Sequence, residues 1–569
     1  MTPEPALPRW ADDLRARFLA GESSVFVLHG NTRDLQPWSD PDGTLRYIPL
    51  REFLERFFQR SKEIVVYYNL SEGLEFPTRL QAAAFLRAVN ARRLMTGREE
   101  LRELPKSPSA VLPLLEDLVT DPAQHAAVIV DYMETIAPNA DIAFMADAER
   151  ANLVTLQRLG GDAGLLSSDN LVVFVTETLA DLNRRLVASS HLVPLDVPLP
   201  SPAEREAFLR AQDRRDVPTE IDDSALAKVT AGLTLLQIRG LLRQARQSGT
   251  AISFRTVARR KKAIIEQECH GLIEFVDPGH NFSHVGGQDG VKGELMRIAE
   301  AIKAGQRNRV PMGVIFVGPM GTGKTFVAEA FAAECGLTCL KFKNFREKWV
   351  GSTEGNLEKI LNVVNGLGYV LLIIDEADRS LSSGADGDGG TSSRVIARLK
   401  EFMSDTSHRG RVVILMMTNR PDKLDADLKR PGRFDVKIPF FFPEDEDERR
   451  AIIEAVMRRA GLALGEGASI DGMVTGVKGY SAAEIEADRL AAANFAAWEG
   501  REAPVQADLD RAVADVVPSR DTRMLEFMEM LAVFESSSRR MLPERYRALP
   551  TAEVIERLDA LRSRLAGRV

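Results

Sequence analysis

One glycine-rich stretch in the second half of the chain has the residue types and spacing of a phosphate-binding loop. Residues 318–325 read GPMGTGKT, which fits the pattern G-x-x-x-x-G-K-[ST] between an apolar run and a helical run. Glycines let backbone N–H groups turn toward phosphate oxygens, and the N-terminus of the following helix adds partial positive charge. A glycine-rich turn with an incidental lysine is the alternative, which the two flanking runs disfavour. The predicted nucleotide contacts are Pro319, Met320, Gly321, Thr322, Gly323, Lys324 and Thr325.

Two adjacent acids downstream complete the predicted chemistry. The apolar residues 371–374 end in Asp375 and Glu376. Lys324 would neutralise the β- and γ-phosphates, and the hydroxyl of Thr325 together with Asp375 would hold Mg²⁺. Glu376 would align and deprotonate the attacking water. An apolar run ending in acids is a weak signal alone, but after a complete phosphate loop it predicts an ATPase that uses ATP and Mg²⁺.

The elements that must position these groups are buried strands. Short runs rich in Val and Ile alternate with amphipathic helical stretches, a pattern typical of α/β layers around a mostly parallel sheet. The strands predicted in the second half are Gly313–Val317, Thr338–Phe342, 369–374, 412–417 and 436–440. Those predicted in the first half are 24–29, 63–68, Ala126–Val130, Leu171–Val175 and Leu192–Val197.

The two halves of the chain look like diverged repeats. VIVD at 128–131 parallels LIID at 372–375, VFVT at 173–176 parallels LMMT at 415–418, and AGLT at 231–234 parallels KGYS at 478–481. The offsets of 244, 242 and 247 residues are nearly constant, which predicts an internal duplication.

The predicted fold class is α/β, with two tandem modules that each combine a parallel-sheet large domain with a small helical domain. The first module is assigned residues 1–200 and 201–265, followed by a linker at 266–295. The second module is assigned residues 296–445 and 446–520, and a helical extension covers 521–569. The Met and Leu residues of that extension are expected to pack on their own protein, with partner docking as the alternative.

Residues 418–422 (TNRPD) and 428–435 (LKRPGRFD) resemble the second region of homology of AAA+ ATPases. The resemblance is to the AAA clade that contains NSF, valosin-containing protein, the proteasomal ATPases and katanin, and it runs from about 282 to 518. It implies that Asn419 is the sensor that helps position the attacking water. It also implies that Arg430 and Arg433 are arginine fingers acting on a neighbouring subunit, in a ring that is usually hexameric. Ordinary surface ion pairing is the alternative for both arginines.

The same resemblance implies two segments around the base. Val285 and Gly286 resemble the family's segment before the large domain, whose backbone touches adenine. Residues 479–485 (GYSAAEI) resemble the segment of the small domain, or lid, that closes over the base, which predicts contacts from Gly479 and Ala482. The family usually has glycine at the position of Ala482, so the extra methyl group is expected to tighten the pocket.

Pore loops are implied as well. Residues 348–351 (KWVG) stand where the family has an aromatic–hydrophobic–glycine triplet, so Trp349 and Val350 would grip an extended polypeptide. A tryptophan in the protein core is the alternative. The glycine-rich residues 384–390 resemble a second pore loop or, alternatively, a surface loop without function.

The first half is predicted to keep the architecture and to lose the chemistry. Aligning the strand at 63–68 with Gly313–Val317 places Glu75 at the position of Lys324, where a carboxylate would repel phosphate. The other changed positions are Tyr132 for Glu376, Glu177 for Asn419, and Ala188 and His191 for the two arginines, whereas Asp131 retains the metal-side acid. We therefore predict that this module does not hydrolyse ATP.

Composition narrows the classes of binding partner and the cellular location that we expect. The net charge of −8 disfavours general binding to nucleic acid or anionic membranes, which requires basic surface. The three cysteines form no C-x2-C pair, and Cys335 and Cys339 are expected to be small core residues in a reducing compartment. No apolar run is long enough to span a bilayer, and the N-terminus has no secretory signal, so we expect a cytoplasmic protein without membrane insertion.

The leading functional hypothesis is a ring motor that pulls a protein substrate through a central pore, with or without an adaptor. No H-E-x-x-H protease motif is present. One alternative is an ATP-switched assembly scaffold with slow turnover. A nucleic-acid remodeller is the less favoured alternative.

Overall fold

The computed structural model describes residues 7–40, 42–213, 217–269, 271–342, 353–380, 391–518 and 521–566. The chain divides into two compact units. One comprises residues 1–265 together with 354–366, and the other comprises residues 266–353 together with 367–569.

Strands of the first half form one six-stranded sheet and one hairpin. They are β1 (Val25–Gly30), β2 (Leu35–Ser39), β3 (Leu45–Pro49), β4 (Ile64–Asn69), β5 (Gly73–Glu75), β6 (Ala126–Val130), β7 (Leu171–Val175) and β8 (Leu192–Val197). The sheet has the order β5-β4-β6-β7-β1-β8 and is parallel except for β5, while β2 and β3 pair separately. In β1, Val25 and Val27 belong to one hydrophobic cluster and Phe26 and Leu28 to another, so both faces are buried, as in other parallel sheets.

The first half contains eleven described α-helices, of which α8 to α11 follow β8. They are α1 (Arg9–Leu19), α2 (Leu50–Phe58), α3 (Arg79–Met95), α4 (Pro108–Val119), α5 (Asp147–Gly160), α6 (Ala163–Leu166), α7 (Arg184–Val187), α8 (Pro202–Ala211), α9 (Asp223–Val229), α10 (Leu235–Ser248) and α11 (Phe254–Glu268).

The second half builds a sheet of the same topology. Its strands are β9 (Ile273–Val276), β10 (Gly313–Val317), β11 (Thr338–Phe342), β12 (Val370–Ile374), β13 (Val412–Thr418) and β14 (Val436–Pro439). They take the order β14-β10-β13-β12-β11-β9, and only β9 is antiparallel. Strand β9 lies within the segment interpreted as a linker, so that segment contributes to the sheet.

Helices of the second half begin with α12 (Asp289–Lys303), α13 (Lys324–Cys335), α14 (Thr353–Leu367), α15 (Ala377–Ser380) and α16 (Thr391–Ser404). The small helical domain contains α17 (Glu446–Ala460), α18 (Asp471–Gly476), α19 (Ala482–Trp498) and α20 (Gln506–Asp515). The C-terminal extension contains α21 (Thr522–Glu535), α22 (Glu544–Arg547) and α23 (Thr551–Ala566).

All ten predicted strands are present, and the predicted class of two tandem α/β modules is confirmed. The duplication extends to a buried arginine in each half. Arg205 donates to the carbonyl oxygens of Pro200 and Ala227, and Arg449 donates to those of Glu444 (2.9 Å) and Val474 (2.8 Å). In both cases one guanidinium joins the first turn of a helix to a loop carbonyl and a later helix.

One prediction about the repeats is wrong. The shared strand order makes β1 the counterpart of β10, whereas the strand at 63–68 is the counterpart of β11. Glu75 therefore does not occupy the position of Lys324; it forms an ion pair with Arg51. The hairpin β2–β3 and the segment from β5 to α4 add residues between the shared strands, so the constant offset of the later landmarks does not reach β1.

Cys335, Cys339 and most of the Met and Leu side chains of the C-terminal extension are buried, as predicted. Cys335 and Cys339 are buried free thiols, and burial raises the pKa of Cys339 to about 12. The Met and Leu side chains of the extension pack on their own protein: Met530, Leu531 and Leu558 share a cluster that includes Phe441. Among the described helices, none has the length and apolar character needed to cross a membrane.

Candidate nucleotide site

The phosphate-binding loop lies at the carboxyl end of β10, where parallel sheets commonly bind ligands. Gly318, Gly321 and Gly323 have φ of 155°, 78° and 84°, in the left-handed region where a side chain is strained. A Cβ at Gly318 would also collide with the carbonyl oxygen of Phe440. Gly323 caps α13, so the free N–H groups of the first helical turn adjoin the loop. The backbone therefore fits a phosphate chain.

Lys324 lies inside this loop. Its Nζ donates to the carbonyl oxygens of Gly318 (2.9 Å) and Pro319 (2.7 Å). Burial lowers the pKa of Lys324 to about 8, and the nearby carboxylates of Asp375 and Asp378 oppose that change. This partly buried ammonium, held among loop carbonyls, attracts an anionic group more strongly than a fully solvated lysine would.

The two residues predicted to hold Mg²⁺, Thr325 and Asp375, lie next to each other at the end of β12. The hydroxyl of Thr325 donates to Oδ2 of Asp375 (3.4 Å), and Nζ of Lys341 forms an ion pair with the same oxygen (3.0 Å). A hydroxyl and a carboxylate side by side are oxygen ligands of the kind that Mg²⁺ prefers. These two residues fit the predicted magnesium site.

Glu376 has a strained backbone. Its φ is 46°, which is uncommon for a residue other than glycine, and such strain tends to cluster at functional sites. Its N–H donates to Oδ1 of Asp375 (2.9 Å), which fixes the turn after β12. The side chain of Glu376 is exposed, so a water molecule can reach its carboxylate.

Asn419 follows β13 directly. In the sheet, Thr418 is opposite Val317, and the carbonyl oxygen of Thr418 accepts a hydrogen bond from the N–H of Gly318 (3.4 Å). The structure therefore brings Asn419 beside the first residue of the phosphate loop.

The two predicted arginine fingers lie between β13 and β14. Arg430 is 73% exposed at its side chain, and its Nε forms an ion pair with Asp427 (3.1 Å). Arg433 is half-buried and donates to the carbonyl oxygen of Asp427 (2.8 Å). These contacts tie both arginines to their own segment rather than to the phosphate loop.

The small domain contacts the loop through the start of α19. Ser481 caps this helix, and its partner in the capping box is Glu484. The N–H of Ala483 donates to the carbonyl oxygen of Gly321 (3.1 Å), and Gly479 has a φ of 84°. Ala482 is the first residue of α19, where the helical backbone accepts alanine, so glycine is not required there.

The segment before α12 packs against α17. Val285 is buried, and a Cβ at Gly286 would collide with the backbone of Ala451. Gln288 is a residue that the sequence reasoning missed. Its φ is 54°, its Nε2 donates to the carbonyl oxygen of Thr322 (2.8 Å), and its Oε1 is buried without a hydrogen-bond partner. Its place directly after the glycine pair was the signal that could have identified it.

The first module has a different cluster at the equivalent place. Tyr132 has a φ of 51°, and its N–H donates to Oδ1 of Asp131 (2.8 Å), so it matches Glu376 in backbone geometry. The hydroxyl of Tyr67 donates to Asp131, and the sheet register places Tyr67 at the position of Lys341.

Arg33, which follows β1, supplies the remaining partner. Its Nη1 is 2.8 Å from Oδ2 of Asp131, and its guanidinium lies 4.0 Å from the centre of the Tyr132 ring. Arg33 also pairs with Glu177 (3.3 Å). A protein cation thus occupies the side of Asp131 at which Thr325 contacts Asp375 in the second module.

The predicted pore-loop residues Trp349 and Val350, and the glycine-rich residues 384–390, lie outside the described residues. Their interpretation stays a prediction. Within the described part of the chain, no group of three or more His, Cys, Asp or Glu residues is arranged to hold a metal ion.

Three family models match the chain. Residues 2–198 match the N-terminal Rossmann-like domain of AAA+ chaperones, residues 203–270 match the second helical domain of AAA+ chaperones, and residues 314–442 match the ATPase family associated with various cellular activities (AAA). The chain therefore belongs to the AAA+ ATPases.

Several curated relatives share part of its sequence. An ATPase family protein 2 homolog of Caenorhabditis elegans is 29% identical over 367 residues, covering 60% of this chain and 50% of the relative. A Cell division cycle protein 48 homolog of Archaeoglobus fulgidus is 28% identical, with coverage of 52% and 40%. An ATP-dependent zinc metalloprotease FtsH of Hahella chejuensis is 28% identical, with coverage of 50% and 48%. The chain thus spans about half the length or less of these relatives.

Proposed function

We propose that the chain hydrolyses ATP at its second module and uses the cycle to remodel or unfold protein substrates in a ring of identical subunits. The observation that carries this proposal is the convergence of the phosphate loop, Asp375, Glu376 and Asn419 at adjoining strand ends of one sheet. The related AAA+ chaperone domains in the first half support protein as the substrate.

Each residue has a defined task in this proposal. Lys324 and the N–H groups of the loop hold the β- and γ-phosphates, and Glu376 takes a proton from the attacking water that Asn419 helps to position. Thr325 and Asp375 would hold Mg²⁺, which supplies charge neutralisation along the phosphates. Arg430 and Arg433 contribute positive charge to the site of a neighbour, so an isolated subunit hydrolyses slowly. A hexamer is the ring size that the family resemblance favours.

Glu376→Gln tests the catalytic assignment. Removing a general base lowers kcat by about 10²–10⁴-fold, while ATP affinity stays intact because the phosphate contacts remain. Steady-state hydrolysis and fluorescent-ATP titration measure the two quantities. The control is Glu466→Gln, which changes an exposed glutamate of the same unit. Full hydrolysis by Glu376→Gln would contradict the role of Glu376.

We further propose that the first module does not hydrolyse ATP. Arg33 already neutralises Asp131, and tyrosine replaces the general base. In the Lys324→Ala variant, ATP hydrolysis and stoichiometric ATP binding should both disappear. One equivalent of tightly bound ATP in that variant would place a second nucleotide site in the first module.

Threading through a pore is the finer part of the proposal. Trp349→Ala should abolish processing of an unfolded protein substrate and leave basal hydrolysis in place. Unchanged processing would favour the ATP-switched scaffold, for which the inactivated first module is the supporting observation. Stimulation of hydrolysis by DNA or RNA, measured in parallel, would instead favour a nucleic-acid remodeller.

A further inference from the structure

The C-terminal extension is anchored on the segment that carries the two predicted arginine fingers. We define this finger segment as residues 420–437, from the end of β13 into β14. Helix α21 packs against β14, β10 and the turn at Pro421–Lys423. Helix α21 therefore contacts both the turn near the start of the finger segment and the strand in which the segment ends.

One carboxylate makes the central contact. Glu535 is the last residue of α21, and its side chain is only 8% exposed. One oxygen pairs with Nζ of Lys429, and the other lies 2.9 Å from Nζ of Lys437. Lys429 immediately precedes Arg430, and Lys437 lies four positions after Arg433. Glu535 therefore bridges positions on both sides of the two arginines.

Further bonds hold the same arrangement. Nζ of Lys429 donates to the carbonyl oxygen of Pro421 (3.1 Å). The N–H of Ser537 donates to the carbonyl oxygen of Lys437 (3.0 Å), and the N–H of Lys437 donates to Oγ of Ser537 (2.7 Å). The guanidinium of Arg420 lies 5.1 Å from the centre of the Phe527 ring. The extension thus fixes the finger segment at its beginning, middle and end.

Charge explains why a buried acid is needed. The finger segment contains three lysines and three arginines, and two of the lysines, Lys429 and Lys437, converge on one buried position, where their like charges would repel one another. Glu535 neutralises the lysines through charge-assisted hydrogen bonds, while the side chain of Arg430 stays 73% exposed. Lys429 and Lys437, which pair with Glu535, are therefore distinct from Arg430, whose exposed side chain could reach a neighbouring subunit.

We propose that Glu535 is a positioning residue that holds Arg430 and Arg433 in the geometry needed by the adjacent subunit. This inference rests on the proposed function, because it requires that the arginines act in trans. The consequence is that the C-terminal extension controls the hydrolysis rate of the neighbour and leaves the nucleotide affinity of its own subunit unaltered.

The first test is Glu535→Gln. Since a displaced arginine finger can cost up to about 10³–10⁵-fold in rate, partial displacement should lower kcat at least tenfold with little change in ATP affinity. Glu526→Gln is the matched control, because it changes an exposed glutamate of the same helix, and it should hydrolyse ATP normally. A weaker ATP affinity for Glu535→Gln, with unchanged kcat, would overturn the proposal.

A mixing experiment separates positioning in trans from a general structural role. Subunits with Glu376→Gln have intact fingers and no general base, whereas subunits with Glu535→Gln have an intact nucleotide site and displaced fingers. Mixed rings should hydrolyse ATP faster than either parent, because intact fingers then face intact sites. Such recovery also demonstrates that the Glu535→Gln subunit is folded.

Arg433→Ala mixed with Glu376→Gln is the reference pair. If this pair recovers and the Glu535→Gln mixture does not, Glu535 has no positioning role and the inference is overturned. If the reference pair itself fails to recover, the assignment of trans arginines in the proposed function is what fails.

Discussion

The N–H of Ala483, in the first turn of α19, donates a 3.1 Å hydrogen bond to the carbonyl oxygen of Gly321 in the phosphate loop. A Cβ at Gly321 would lie 2.7 Å from Oγ of Ser481. The small domain therefore contacts the loop at a point where only glycine fits. This contact ties the first turn of α19 to the backbone conformation of the candidate phosphate loop.

Gly321→Ala should weaken ATP binding. Alanine at a φ of 78° costs about 1–2 kcal/mol, and the methyl group would also push Ser481 away from the loop. We expect ATP affinity to fall about tenfold or more, measured by titration with a fluorescent nucleotide.

The control for this variant is Gly336→Ala. Gly336 follows α13 with a φ of 64°, and a Cβ there has no neighbour within 4 Å. It should lower the melting temperature and leave ATP affinity unchanged. Equal losses of affinity in both variants would show that backbone strain alone, without the lid contact, is responsible.

Arg33→Ala should destabilise the first module. The side chain of Asp131 is only 6% exposed, so removing Arg33 leaves a buried carboxylate with one tyrosine hydroxyl and a backbone N–H. Breaking a buried ion pair costs about 3–5 kcal/mol, and the partial exposure of Arg33 reduces that figure to about 2 kcal/mol. Scanning calorimetry should show an earlier transition for this module, while hydrolysis at the second module persists.

Arg17→Ala is the comparison. Arg17 also pairs with two carboxylates, Asp13 and Glu22, but all three side chains are at least 38% exposed. Exposed pairs contribute little, so its melting profile should match that of the unmodified chain. An equal shift in melting temperature for Arg33→Ala and Arg17→Ala would show that the buried contact with Asp131 contributes no more stability than an exposed ion pair.

The sequence was sufficient for most of the fold and for naming the candidate nucleotide site of the second module. Val- and Ile-rich runs identified ten strands, because strands buried on both faces must be apolar throughout. The loop at 318–325 and the acids after β12 were identifiable because their chemistry requires fixed spacing. The structure then brings these distant residues to adjoining strand ends.

The cluster of Arg33, Asp131 and Tyr132 in the first module could not be predicted from the sequence in the same way. Arg33 lies nearly one hundred residues from Asp131, and nothing in its local sequence indicates the pairing. Apolar strands of one parallel sheet have similar sequences. A constant residue offset between the two halves therefore cannot show which strand of the first half corresponds to β10, because the segments between the strands differ in length. Strand order in the sheet is what identifies β1 as the counterpart of β10.

Arg449→Met should destabilise the small domain of the second module. Arg449 is 4% exposed, and its guanidinium donates to two carbonyl oxygens, which would be left without these donors. Unsatisfied buried carbonyls cost about 1–3 kcal/mol each, so two of them predict a loss of about 2–6 kcal/mol in the free energy of unfolding. Urea denaturation measures this change. The neighbouring Arg450→Met removes only an exposed pair with Asp471, so an equal loss there would contradict the explanation.

Asp488 should make the stability of the small domain dependent on pH. Its side chain is fully buried in α19, and neither carboxylate oxygen has a hydrogen-bond partner. Burial, together with the charge of Glu484, raises the pKa of Asp488 to about 7 from an ordinary value of 3.8. The folded chain therefore binds a proton that the unfolded chain releases, so the free energy of unfolding falls as pH rises from about 4 through about 7.

Asp488→Leu removes this dependence. The variant should melt at a higher temperature than the unmodified chain at pH 8, with a difference of at most about 4 kcal/mol in stability, and the advantage should shrink toward pH 5. Asp510→Asn is the control, because Asp510 is exposed and its substitution should leave the pH profile between 5 and 8 unchanged. Melting temperatures recorded at intervals across this range test the prediction. Parallel profiles for the Asp488→Leu variant and the unmodified chain would mean that Asp488 does not titrate there, since the expected difference comes from the raised pKa of this one carboxyl group.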